Sequence, residues 1–188
     1  MRRGPTIATP RLILRRWVKE DLRPFAALNA DPAVMEHFPT TIDEAETAIL
    51  IARFELTFEE HGFGIWAVEI AWARTLIGFC GLLPVEFDAP FTPAVEIGWR
   101  FAHASWGNGY ATEAAEAAMT HGFDVSGLDE IVSFTVPANV RSRRVMERLG
   151  MRRDPNGDFD HPRLPNGDPL RPHVLYRMSA AEWALRDK

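Results

Sequence analysis

An α+β protein with a central mixed, mostly antiparallel sheet and helices on both faces is the fold class this chain predicts, and three observations carry the prediction. Three strand-like runs, Ile65 to Ile70, Leu76 to Val85 and Val95 to Phe101, follow one another with no helix between them, as in an antiparallel meander. Helix and strand patterns alternate before and after that meander. One helix carries Ala111, Ala114, Ala115 and Ala118 on one side, small enough to lie close against a sheet.

The elements follow in order. After Pro10, Arg11 to Arg16 alternates Leu12 and Leu14 with polar neighbours and reads as a first strand. Helical patterns cover Lys19 to Ala30 and Asp43 to Glu60; in the second, Ala45, Ala48, Ile49, Ala52, Leu56 and Glu59 form the expected inward stripe, with Asp43 and Glu44 at the positive end. Gly62 and Gly64 end it before the meander. The alanine-faced helix is expected from Tyr110 to about Asp124, with Thr112, Glu113, Glu116 and Thr120 outward. A strand from Ile131 to Val136 and a helix from Val140 to Leu149 come next, the helix stopping at a glycine cap, Gly150. Asp154 to Pro172 reads as a long turn-rich connection, a flap over a site or a poorly ordered loop, and His173 to Met178 as the closing strand.

Composition narrows the function. The 188 residues are 46% hydrophobic and 25% charged, with no linker, repeat or composition shift, so one domain over 1–188 is expected. A net charge of −5 speaks against a nucleic-acid binder with a broad basic face. No apolar run approaches the roughly 18 residues of a membrane span. The single cysteine, Cys80, lies among Ile77, Phe79, Leu82 and Leu83 and reads as a strand-core residue; with no disulfide available, the chain is expected in a reducing, cytoplasmic compartment.

The most informative segment is Trp106-Gly-Asn-Gly-Tyr-Ala-Thr-Glu113, a glycine-bracketed loop that follows a strand and opens a helix. Unpaired N–H groups at a helix N-terminus, reinforced by the peptide dipoles, can hold a pyrophosphate without a lysine. Gly107 and Gly109 would let main chain approach such a ligand, although a tight turn has the same composition. A P-loop is absent, and the dinucleotide fingerprint fails because Thr112 stands where its third glycine belongs. Asp158, Asp160, His161 and His173 include metal-ligating types, but in so turn-rich a loop they read as solvated, and no metal is expected.

Three segments together resemble the GNAT acetyltransferase superfamily, and within it the RimJ/RimL-like branch. They are Val95-Glu-Ile-Gly-Trp-Arg-Phe101, Trp106-Gly-Asn-Gly-Tyr-Ala-Thr-Glu-Ala114 and Asn139-Val-Arg-Ser-Arg-Arg-Val-Met-Glu-Arg-Leu-Gly-Met151. The likeness runs from Thr9-Pro-Arg-Leu12 to the last strand; Trp106 stands where the superfamily commonly has Arg or Gln, which leaves a main-chain cradle intact. The resemblance implies acetyl-CoA as co-substrate. Main chain of Ile97, Gly98 and Trp99 would pair with its pantetheine arm, and N–H groups of Gly107, Asn108, Gly109, Tyr110, Ala111 and Thr112 would hold its pyrophosphate. A β-bulge would splay the donor strand from its parallel neighbour, with Gly98 the place for it unless that glycine marks simple close packing.

Roles for side chains follow from the same resemblance. Asn139 would anchor the pantetheine or the acceptor, or cap the helix. Ser142 would sit at the CoA sulfur, as a ligand or as acid to the thiolate, or else lie on a polar helix face. Glu96 would be the general base, directly or through a water, unless strand alternation turns it to solvent. His161, Asp160 and Tyr176 are reserves for receiving the amine, and Arg141, Arg143 and Arg144 would meet the 3′-phosphate or else lie on a solvated helix face. The expected acceptor is a primary amine, either a protein N-terminal α-amine or a small cation such as a polyamine or antibiotic drawn by Asp158 and Asp160. A non-catalytic acyl-CoA sensor is the rival of another class, and a homodimer is expected from the resemblance alone.

Overall fold

A computed structural model describes residues 5–186. Eight strands form one sheet in the order β1-β2-β3-β4-β5-β6-β8-β7. They are β1 (Ile7–Ala8), β2 (Leu12–Arg15), β3 (Ile65–Ile70), β4 (Thr75–Pro84), β5 (Val95–Phe101), β6 (Glu130–Thr135), β7 (Arg152–Asp160) and β8 (Pro172–Ser179). Every neighbouring pair is antiparallel except β5 and β6, which are parallel and share a single pairing, Glu96 with Val132. The helices are α1 (Leu22–Asn29), α2 (Glu44–His61), α3 (Tyr110–Thr120), α4 (Val140–Arg148) and α5 (Ala180–Leu185).

Strand alternation divides the core into two layers. Leu12, Leu14, Trp66, Val68, Cys80, Leu82, Ile97 and Phe101 face α3, whose Ala114, Ala115 and Ala118 are fully buried, as the small-residue face predicts. On the other face Ile65, Ala67 and Phe79 meet Trp17, Phe25 and Phe54. Those rings pack closely at tilted angles, Trp17 on Phe25 at 4.7 Å and Phe54 on Phe79 at 5.4 Å between centroids, adding a directional term to burial. α4 ends as expected: Gly150 is left-handed at φ 76°, and the N–H groups of Gly150 and Met151 reach back to Glu147 and Met146.

Several expectations need correction. The stripe Ala45, Ala48, Ile49, Ala52, Leu56 and Glu59 of α2 faces solvent, with Ile49 71% exposed; the helix buries Thr47, Phe54, Thr57 and Phe58 instead. The bulky rings win because only they fill the space over Trp17, Trp66 and Phe79. The first helical region splits into a 3₁₀ turn, Lys19–Asp21, and α1. The alanine-faced helix stops at Thr120 and passes into a π turn, His121–Val125. The first part of the connection expected from Asp154 to Pro172 is a strand instead, since β7 runs to Asp160 and pairs with β8 on both sides of an irregularity between Asp154 and Phe159. Residues 161–171 are the turn-rich loop that was expected, held by the Arg171 guanidinium on Asp160 and on the Leu164 carbonyl.

Candidate active site

Where β5 parts from β6 a cleft of about 850 Å³ opens. The parting needs no bulge at Gly98: the β4 to β5 register runs unbroken from Gly78 opposite Phe101 to Pro84 opposite Val95. The carbonyl of Ile97 instead accepts from the Ser133 hydroxyl at 2.9 Å, a side chain standing where a strand partner would be. Glu96, Ile97, Gly98, Trp99, Gly107, Gly109, Tyr110, Ala111, Thr112, Asn139 and Ser142 all line this cleft, so the structure gathers residues that are up to 46 positions apart in the chain. Asn108 does not line it; its side chain donates to the carbonyls of Ser105 and Trp106, closing the loop on itself.

The loop is built to present main chain. Gly107 and Gly109 have φ of 78° and 79°, a left-handed conformation that side chains with a Cβ resist. None of the N–H groups from Gly107 to Thr112 donates to another group of the described residues; the first bond of α3 is Glu113 to the Gly109 carbonyl. A Cβ on Gly107 would meet nothing within 4 Å, so the loop is open on its outer side. Glu113 ties it down from below, accepting from Thr9 Oγ1 at 2.6 Å, Arg11 N at 2.9 Å and Arg11 Nε at 2.6 Å, while Arg11 Nη1 reaches the Asn108 carbonyl. Burial is the largest single influence on Glu113 and pushes its pKa up, but the Thr9 and Arg11 hydrogen bonds together bring it below the ordinary value. This brace was not read from the sequence; Thr9 and Glu113 lie 104 positions apart, and no local pattern joins them.

Glu96 faces the cleft rather than bulk solvent. Ile97 and Phe101 point to the α3 side, so alternation sends Glu96, Gly98 and Arg100 to the opposite face. No group of the described residues donates to the Glu96 carboxyl, and burial raises its pKa from 4.5 to about 8. Near neutral pH such a group both holds and releases protons.

Asn139 is a helix cap, its Oδ1 accepting from the Ser142 N–H at 3.1 Å and its Nδ2 donating to Thr135 Oγ1. That cap fixes the first turn of α4 and with it Ser142, on the cleft wall. Of the three arginines expected at the 3′-phosphate, Arg141 and Arg144 line the cleft, Arg141 lying over the Trp106 ring at 4.4 Å and pairing with Glu36, whereas Arg143 turns away to the Tyr176 hydroxyl and the Pro137 carbonyl.

The reserves divide. His161 lines the cleft, 5.1 Å from His173 between ring centres. Burial, then the charges of His173 and Arg163, lower its pKa to about 4, so it is neutral at pH 7. Tyr176 is buried, with its hydroxyl on Glu147, and Asp160 pairs with Arg171; neither lines the cleft. Asp158 pairs with Arg153, and among the described residues no three His, Cys, Asp or Glu side chains converge as a metal site would require. Cys80 is fully buried, and burial raises its pKa. Also unread in the sequence were the aromatic and cationic walls of the cleft, Phe38, Phe54, Phe79 and Arg100, which come from the turns before α2, from α2, from β4 and from β5.

A strand that parts from its parallel neighbour, followed by a loop of free amides opening a helix, defines an acyl-transferring enzyme of the GNAT type, and comparison with known proteins agrees. Residues 11–152 match the family described as acetyltransferase (GNAT) domain, and the chain belongs to that family. It is an N-acetyltransferase of the GNAT type. It is 31% identical over 146 residues to the uncharacterized protein YkkB of Bacillus subtilis, covering 77% of this chain and 84% of that one. It is 28% identical to the uncharacterized N-acetyltransferase YnaD of the same organism, covering 94% and 98%. Among solved structures, a GNAT-family acetyltransferase from Bacillus anthracis superposes with a TM-score of 0.78 at 26% identity, over 95% of this chain and all of that one. RimJ of Mycobacterium smegmatis, solved with CoA-disulfide, gives 0.75 at 21% identity over 95% and 89%, a likeness of fold. No helix of the described residues is long and apolar enough to cross a membrane.

Proposed function

We propose that the chain moves acetyl from acetyl-CoA to a primary amine by direct attack in a ternary complex, with Glu96 as general base. The observation that carries this is the joining, in one cleft, of a run of unpaired main-chain N–H groups from Gly107 to Thr112 with an unpaired carboxyl whose pKa lies at about 8. The open glycines fit a pyrophosphate, and the Ile97 and Trp99 main chain beside the gap fits the amide-bearing pantetheine arm. Asn139 and Ser142 stand at the far wall, where the sulfur would lie, and Arg144 is a free cation of the cleft for the 3′-phosphate.

Bound acetyl-CoA supplies a thioester whose thiolate leaves readily, a free thiol having a pKa of roughly 8.5. The nitrogen lone pair forms the new C–N bond as the C–S bond breaks. Glu96 takes the proton the amine gives up, directly or through a water, and the departing sulfur receives one from Ser142 or from solvent. Because no covalent acyl-enzyme is required, initial-rate lines at varied acceptor should intersect; parallel lines would rule out the ternary complex. Calorimetry with acetyl-CoA and with CoA tests the donor site, and absence of heat with both would sink the reading.

For the acceptor we favour a peptide or protein N-terminal α-amine over a polyamine or antibiotic. Asp158 and Asp160, the acids that would draw a cation, are already engaged by Arg153 and Arg171. Homodimer assembly and residence in the cytoplasm complete the proposal, resting on family resemblance and composition; sedimentation of the purified chain tests the first.

A further inference from the structure

Arg100 is a cation set in the cleft wall with its charge unbalanced. Its guanidinium lies 4.2 Å from the centre of the Phe38 ring and 5.3 Å from that of Phe79. Nη1 donates to Asn29 Oδ1 at 2.6 Å, and Asn29 is itself held by Thr47 at 3.1 Å. Nε is shut off from solvent and donates to nothing. Among the described residues no carboxylate pairs with this guanidinium, whose pKa burial lowers to about 10. A charge in such a place costs stability, which the two rings and one amide offset in part. A planar fork with donors to spare, already oriented, is matched to a carboxylate.

Glu96 is the opposite case in the same cleft, an acid without a donor. The two do not pair with each other: four residues of extended strand put their Cα atoms about 13 Å apart. Gly98 lies midway, and a Cβ there would meet nothing closer than Glu96 Oε1 at 4.0 Å, so the floor between Glu96 and Arg100 is bare. Phe38, Phe54 and Phe79 wall the same space with apolar surface.

We infer that the acceptor is an amine that also carries a carboxylate, several bonds further away than in an α-amino acid, with the amine at Glu96, the chain crossing Gly98 and the carboxylate on Arg100. Short peptides and ω-amino acids have this chemistry, and so does a protein N-terminal segment with an acidic residue near its amine. The inference rests on the proposed role of Glu96 and on the donor site.

The test follows thiol release from acetyl-CoA with matched acceptors. These are apolar dipeptides with free or amidated C-termini, an ω-amino acid and the alkylamine lacking its acid, and amidated hexapeptides with Asp or Asn at the third position. The carboxylate member of each productive pair should be favoured at least tenfold in kcat/KM, through KM, and the productive pair identifies the source of the carboxylate. Arg100→Gln should shrink that preference to within about twofold, and Arg100→Lys should restore part of it. The comparison within the wild type stands even if a variant folds poorly. Equal use of acid and amide, preference for uncharged amines, or failure to acetylate any carboxylate-bearing member overturns the inference. In all three cases heat on acetyl-CoA binding would leave the donor site standing, whereas its absence would remove both.

Discussion

Replacing Glu96 by Gln gives two separable readouts, one of catalysis and one of stability. In the native protein the carboxyl titrates at about 8, against 4.5 when freely solvated. At pH 7 only about one molecule in ten therefore holds the ionised base, and activity should climb through neutrality and level off above pH 8. An α-amine acceptor ionises in the same range, so the useful quantity is the ratio of wild-type to variant rate, in which the acceptor cancels. That ratio should rise with a midpoint near pH 8 toward the 10²- to 10⁴-fold typical of a general base.

Stability moves the other way. Between pH 4.5 and 8 the unfolded chain has lost the Glu96 proton while the folded chain keeps it, so rising pH favours unfolding. The full difference is at most roughly 5 kcal/mol, and water entering the cleft reduces it. Gln carries no such penalty. Melting temperatures of wild type and variant should nearly coincide at pH 5 and diverge by several degrees in favour of the variant at pH 8.5, at about 2 to 4 °C per kcal/mol for a chain of this size. An unchanged kcat would remove Glu96 from the base role, and a melting gap independent of pH would refute its raised pKa.

The other predictions concern the loop and α4. Gly109→Val forces a branched side chain into φ 79°, so the dissociation constant for acetyl-CoA should rise at least tenfold by calorimetry; an unaltered constant would relocate the cradle. Glu113→Gln removes the charge that gathers Thr9 and Arg11, at a cost of about 1 kcal/mol discounted for the half-exposed arginine. Because the native pKa of Glu113 is depressed, its contribution is present above the ordinary carboxylate range and fades as pH falls through the native value, so denaturant midpoints of the two proteins should converge in acid. Asn139→Ala should lower stability by about 1 kcal/mol through the lost cap, read as a lower melting temperature. Ser142→Ala should reduce kcat less than tenfold, since the thiolate leaves readily unaided; a hundredfold loss would make Ser142 an obligatory acid.

The parts of the fold that could be read in advance are those where local pattern and tertiary demand agree. β3 and β5 match their expected limits residue for residue, because both are interior strands whose alternation is bounded by glycine, turn or loop. β7 escaped notice because its sequence, Arg-Arg-Asp-Pro-Asn-Gly-Asp-Phe-Asp, looks like a turn. As an edge strand it needs little apolar surface, and its charges suit an edge that must not recruit another chain. On α2, periodicity found a genuine apolar stripe and assigned it to the wrong side, since spacing reveals that a helix has faces and not which one the sheet will accept. In the site, every main-chain position named from the three segments except Asn108 lines the cleft. Arg100 and the Arg11 brace were hidden because their meaning lies in neighbours brought from far along the chain, Asn29 and Glu113.

The single rung between β5 and β6 leaves the molecule as two plates of five and three strands, stitched across the seam by one carboxyl-bearing residue and one serine hydroxyl. Any slender molecule studded with amides that slots into the seam would knit the plates together. Occupancy and rigidity would then be one quantity, with amide hydrogens on both sides slowing their exchange together as the slot fills.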